Sequence, residues 1–223
     1  MVGAEIPGAR QLLVRRGSDD RAQPGRMGEL QPEDQIVMVA VTSAHRGMSF
    51  QAYESYKDGG VEWLGQVPSH WEVRRIRNVA RLNPSKSEAN AVGSDTELSF
   101  LPMEAIGERG ELDLSRTRPL GEVQQGYSFF ADGDVVFAKV TPCFENGKGA
   151  VMRDLTLGLG FGTTELTVVR PSNPATAAFL WWFTYSRAFR DPASAEMVGA
   201  GGLKRVPDDY VSDCAIPWPP MSE

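Results

Sequence analysis

Cysteine, histidine and net positive charge are all scarce in this 223-residue chain, and each scarcity closes off a class of function. Two cysteines, Cys143 and Cys214, cannot frame a disulfide scaffold, and with His45 and His70 as the sole imidazoles there is no ligand set for structural zinc. A net charge of -6 argues against binding nucleic acid through bulk charge, because non-specific affinity comes from many lysines and arginines on phosphates. Any DNA contact must therefore be local. Long apolar runs are missing as well. The longest apolar neighbourhood, at 179–183, stops at Thr184 and Arg187, far short of the ~20 residues a spanning helix needs. The first sixteen residues carry their arginines after a short apolar run rather than before it, unlike a secretory signal. These absences predict a cytoplasmic protein with no membrane segment.

What is present is enough for a core. At 41% hydrophobic content and a mean hydropathy of -0.29, the chain suits one large or two small water-exposed domains. Residues 1–47 stand apart: Gly, Pro, Arg and Asp are scattered through them and no amphipathic period is sustained. They read as a disordered extension or a misassigned start, with Met48 opening the domain that fills 48–223. From 53 to 72 an aromatic, turn-rich segment carries Asp58-Gly59-Gly60 and Val67-Pro68, with Trp63 and Trp71 as apolar anchors, and predicts a strap laid over a core. Residues 73–82 then predict a strand followed by a short helical turn. Arg74, Arg75, Arg77, Arg81 and Lys86 form the strongest basic run, with no acidic residue among them.

Beyond this point β structure dominates. Strands are predicted at 98–103, 135–140, 149–153 and 162–170, with turns at 107–110 and at Asp132-Gly133-Asp134. Asn173-Pro174 opens a helix over 175–190, closed by Asp191-Pro192, with Phe179, Trp182 and Phe183 expected to be buried against the sheet. A glycine-rich loop at 199–207 and a short strand at 213–217 finish the chain. The fold class expected is mixed α/β: a twisted, mainly antiparallel sheet with hairpin loops and one amphipathic helix.

Catalytic chemistry finds little support. Cys143 with His70 is a conceivable nucleophile and base, but a half-buried cysteine and a stacked histidine are the commoner arrangement. Asp132 and Asp134 flank a glycine before a strand, which is ordinary turn chemistry. The loop with Lys204 and Arg205 fails the P-loop test, because Val206-Pro207 follows where a helix must start. It remains compatible with a backbone contact to phosphate. The richest stretch is 139–149. Lys139 and Lys148 bracket an amide at Asn146 suited to adenine, an acceptor at Glu145 suited to a cytosine amino group, and the aromatic Phe144. Asn146-Gly147 is equally a strong turn dipeptide.

Several strings now converge. The Tyr56-Lys57-Asp58-Gly59-Gly60-Val61-Glu62-Trp63-Leu64-Gly65 and Pro68-Ser69-His70-Trp71-Glu72-Val73 strap, the 133–149 hairpin with its Thr141-Pro142-Cys143-Phe144-Glu145-Asn146-Gly147-Lys148-Gly149 tip, Gly162-Thr163-Thr164-Glu165-Leu166 and the closing Pro217-Trp218-Pro219-Pro220-Met221-Ser222-Glu223 resemble the specificity subunit of type I restriction-modification systems, in the family's order. The resemblance implies a DNA target-recognition domain that holds half of a bipartite double-stranded site and performs no chemistry. It positions a DNA adenine methyltransferase subunit and a motor-nuclease restriction subunit, and S-adenosylmethionine, ATP and Mg belong to those partners, so no cofactor or metal is expected here. In the family the closing string leads into a spacer helix and then a second recognition domain, so Glu223 reads as a cut before the spacer; the alternative is a remnant or interaction domain without DNA recognition of its own. Read from the residues themselves, the DNA contacts expected are Lys139, Thr141, Phe144, Glu145, Asn146 and Lys148 in the hairpin, Arg74, Arg75 and Arg77 in the basic run, and Lys204 and Arg205 in the glycine-rich loop.

Overall fold

The computed structural model describes residues 52–221. β1 (Tyr56–Asp58) and β2 (Gln66–Pro68) pair as a short hairpin around the 3-10 turn Glu62–Leu64. Trp71 is buried and the Trp63 ring lies 6.1 Å from that of Phe183, so both tryptophans anchor the strap as the sequence led one to expect. β3 (Glu72–Arg75) and the single helical turn α1 (Ile76–Val79) follow, and β4 (Ala80–Leu82) completes the segment.

The next elements, β5 (Glu97–Leu101), β6 (Thr117–Pro119), α2 (Leu120–Val123), β7 (Ser128–Ala131), β8 (Val135–Ala138), β9 (Gly149–Val151), β10 (Leu159–Gly162) and β11 (Leu166–Pro171), complete two four-stranded sheets. Their orders are β6-β5-β10-β7 and β4-β11-β8-β9, and among the described strands β5 with β10 is the one parallel pair. Strand β8 shows why the sheets stack. Its successive side chains point to opposite faces, and both faces are apolar. Val135 and Phe137 join Val169 under the helices, whereas Val136 and Ala138 join Ala150, Leu166 and Val168 against Leu101 and Phe130 of the other sheet. A third cluster, with Leu98, Phe100, Phe129 and Phe161, covers the far face of that sheet beneath α2. The layers run helix, sheet, sheet, helix.

The mixed, mainly antiparallel class stands, and its details differ from the sequence reading in three ways. The strand expected over 162–170 is the shorter β11, and 163–165 form a turn that separates it from β10, which ends at Gly162. β10 hid behind its glycines. Gly160 is there because a Cβ would come within 2.4 Å of the Phe130 ring. The helix expected over 175–190 is also two, α3 (Ala177–Tyr185) and α4 (Arg187–Ala195). Ser186 breaks them with extended backbone (ψ 154°), and its hydroxyl donates to the Phe183 carbonyl at 2.7 Å. α4 runs through Asp191-Pro192, with Pro192 inside the helix where the sequence predicts its end. Within α3 the buried face is Ala177, Leu180, Phe183 and Thr184; Phe179 is half-buried and Trp182 is 45% exposed, against the burial expected for both. Most of α3 is apolar on every side, so spacing alone could not choose its inner face.

The chain ends with the hairpin β12 (Val198–Ala200) and β13 (Leu203–Arg205), the helix α5 (Asp208–Asp213) and β14 (Ala215–Trp218). β14 pairs antiparallel with β3, which ties the end of the described chain to the strap.

Candidate nucleic-acid interface

The richest stretch of the sequence is the connection from β8 to β9. Lys139 continues the strand, donating its N–H to the Glu165 carbonyl and accepting from Val206 N–H, both at 2.9 Å. Val140 bridges to Arg205 in antiparallel fashion. Thr141 then joins two loops. Its hydroxyl donates to the Gly202 carbonyl at 2.9 Å and accepts from Lys204 N–H at 3.0 Å, while its own N–H donates to the Lys204 carbonyl at 3.0 Å. The β12–β13 hairpin is thereby fixed beside the 142–148 turn. After the cis Thr141-Pro142 bond, Asn146 N–H donates to the Pro142 carbonyl and Gly147 takes φ +78°, so the Asn-Gly pair does close a turn.

The fold uses some of the expected contact residues internally. Phe144 is buried, its ring 6.2 Å from Phe137 and 6.0 Å from Phe189. It presents no face to a ligand. Lys148 turns inward, its ammonium 3.2 Å from both the Met103 and Ile106 carbonyls. Arg205 is clamped on Glu165 by two bonds of 2.7 Å, and those bonds hold the Glu165 carboxyl below its usual range. Lys139, mostly covered, lies 3.9 Å from Asp208. Glu145 and Asn146 remain exposed, as does Lys204, and the side chains of all three make no hydrogen bond or ion pair within the described residues. The basic run is held elsewhere, on β3 and α1: Arg74 pairs with Glu72 at 2.6 Å, and Arg75 and Arg77 share Asp213.

Two organising residues escaped the sequence reading. Arg190 donates to the Glu145 carbonyl at 2.6 Å and to the Tyr185 carbonyl at 2.8 Å, pinning the turn to the break between α3 and α4. Asp208 accepts from Asn83 at 3.0 Å and from Thr167 at 3.4 Å beside Lys139. No local spacing announces either; Glu165 at least stood inside the Gly162-Thr163-Thr164-Glu165-Leu166 string.

The catalytic candidates are engaged in structure. Asp134 is buried and takes Arg170 through two bonds of 2.7 and 2.8 Å, and its Oδ2 also accepts from Ala131 N–H at 2.8 Å. Asp134 raises the pKa of Arg170 further, chiefly through those hydrogen bonds. Asp132 accepts from Leu155 N–H. His70 lines an open groove of about 370 Å³ with Glu72, Arg74 and Trp218, whereas Cys143 packs against the inter-sheet core, as Met103, Leu112 and Leu114 also do. They do not form a nucleophile and base pair. Burial pushes the Cys214 thiol up to about 12, which keeps it protonated and poorly nucleophilic. Among the described residues no group of three or more His, Cys, Asp or Glu side chains is placed to hold a metal, and no helix is long and apolar enough to cross a membrane.

Known proteins of two kinds resemble the chain. Over 161 residues, 71% of the chain, it is 37% identical to the type I restriction enzyme EcoEI specificity subunit of Escherichia coli, and over 163 residues it is 35% identical to the EcoAI specificity subunit of the same species. The chain spans about a quarter of the length of these relatives, 26% and 27%. Among solved structures, the HsdS subunit from Thermoanaerobacter tengcongensis shares the fold over 70% of this chain and 40% of its own, at 21% identity and a TM-score of 0.54. A chain from a structure describing complex assembly and conformational transition of the type I R-M system does so over 69% and 39%, at 21% identity and a TM-score of 0.56. Separately, a family model described as MoaE protein matches residues 18–58, and 56 residues are 61% identical to a molybdopterin synthase catalytic subunit of Ralstonia nicotianae, over 25% of this chain and 30% of that protein. That stretch lies mostly outside the described residues and runs across the 47/48 boundary read from composition.

Proposed function

Because this chain belongs, over 71% of its length, to the family of type I restriction enzyme specificity subunits, we propose that it recognises one half of a bipartite double-stranded DNA site for such a system. The observation that carries the reading, beside the family, is the Thr141 junction. It fixes the 142–148 turn and the β12–β13 hairpin side by side while leaving Glu145, Asn146 and Lys204 uncommitted. Loops locked by the scaffold present contact groups at little ordering cost. Lys204 acts on a phosphate. Asn146 pairs with an adenine edge and Glu145 with a cytosine amino group, the pairings their geometry favours. Arg74, Arg75 and Arg77 remain candidates for phosphate contact, since exposed ion pairs with Glu72 and Asp213 exchange readily for a phosphate.

The chain's part is positioning, without catalysis. An adenine methyltransferase subunit and a motor-nuclease subunit supply the chemistry, together with S-adenosylmethionine, ATP and Mg. The recognition unit is taken as 48–223, with residues 1–47 outside it; the MoaE-like match over 18–58 runs past that boundary by eleven residues.

The test is selection of preferred duplexes from a randomised pool by the full chain in complex with the methyltransferase subunits of a type I system, repeated for Asn146→Asp and Glu145→Gln. A defined half-site whose base preference relaxes at one position in either variant supports the reading. Absence of any sequence preference would make the chain an interaction domain.

A further inference from the structure

The β12–β13 hairpin exposes more apolar surface than a scaffold loop needs. Val198 is 62% exposed and Leu203 48%, and Ala200 between them in the sheet is exposed too. The register pairs Val198 with Arg205, Gly199 with Lys204 and Ala200 with Leu203. Cross-strand partners share a face, so Val198, Ala200 and Leu203 lie on one side and Lys204 on the other, opposite Gly199. Arg205, on the apolar side, is drawn back onto Glu165. Gly199 keeps the second face thin, since a Cβ there would meet the Leu203 carbonyl at 2.2 Å. Gly201 and Gly202 close the turn at φ +62° and +79°, the sharp two-residue connection that leaves nothing bulky at the tip.

A two-stranded ribbon of this kind fits the major groove of B-DNA, about 12 Å wide, and the apolar group displayed there is the thymine C5 methyl. We infer that the β12–β13 ribbon enters the major groove with Leu203 and Val198 against thymine methyl groups, while Lys204 on its other face meets the phosphate backbone. Two features favour DNA over a protein occupant: the same ribbon carries the exposed Lys204, whose ammonium has no partner among the described residues, and Thr141 fixes the ribbon against the turn bearing Asn146 and Glu145. The inference rests on the recognition reading above and adds the base chemistry that the ribbon reads.

Replacing thymine by uracil removes the methyl and leaves the pairing intact. The full chain with methyltransferase subunits is titrated, at one salt concentration, with its selected duplex and with versions carrying uracil at each thymine in turn. Wild type should lose about fourfold in affinity at one or two positions, the scale of one buried methyl. Leu203→Ala or Val198→Ala, both surface changes that leave the melting temperature in place, should bind thymine and uracil duplexes alike at those positions. Equal wild-type affinity for all the duplexes overturns the inference while leaving DNA recognition standing, as does a selected site without thymine or a uracil effect that persists in both variants. Failure of wild type to prefer any duplex overturns the recognition reading itself.

Discussion

The two ends of strand β8 carry similar numbers of charged groups and use them in opposite ways. At its start, Asp134 is buried and closed on Arg170, which also pairs with Glu88, and Asp132 holds the Leu155 backbone. Each of these charges is answered within the fold. Beyond its end, Arg205 answers Glu165 and Lys148 answers two carbonyls, yet Glu145 and Lys204 face outward with nothing opposite them. Charge that the fold consumes serves architecture, and charge left over on a rigid mount is available to a partner.

Breaking the first end should cost most. Asp134→Ala leaves Arg170 half-buried with only Glu88, and should lower stability by ~3 kcal/mol, read as a shift in denaturant midpoint at constant m-value. Within α3 the same contrast holds between neighbours: Phe183→Ala should cost ~3 to 5 kcal/mol, because its fully buried ring leaves a cavity, whereas Trp182→Ala should cost ~1 or less. Comparable losses for the pair would contradict the assigned inner face. The Glu165–Arg205 clamp is partly exposed and should contribute below ~1 kcal/mol. Because Arg205 depresses the folded-state pKa of Glu165, that contribution is present above the ordinary carboxylate value of 4.5 and is lost as pH falls through the depressed value. Melting curves of wild type and Glu165→Gln should therefore converge on acidification. Smallest of all, removal of residues 1–47 should change stability by ~1 kcal/mol or less; a larger loss would show that they pack on the recognition unit.

The sequence made some of this legible because its signals are local. Alternation marked β8, Asn146-Gly147 marked the turn after it, and two tryptophans marked the strap. Lys148 was not legible, because the carbonyls it meets lie 45 and 42 residues away and leave no trace in spacing. Trp182 was misplaced because α3 has no polar face to show which side is out, and α5 went unseen as a short polar run, Asp208–Asp213. Among the proposed contact residues, the sequence brought Lys204 in through the glycine-rich loop and Thr141 through the hairpin string; the hydroxyl bonds that join them belong to the folded chain alone.

The salt dependence of DNA binding by Lys204→Ala and Lys148→Ala, each in the full chain with methyltransferase subunits, tests the central claim most directly. Lys204→Ala should keep wild-type stability, weaken every duplex alike and reduce the slope of log K against log salt by about 0.9, one phosphate contact. Lys148→Ala should lower stability and leave the slope of the folded protein unchanged. A slope that stays constant in Lys204→Ala, or falls instead in Lys148→Ala, would contradict the account.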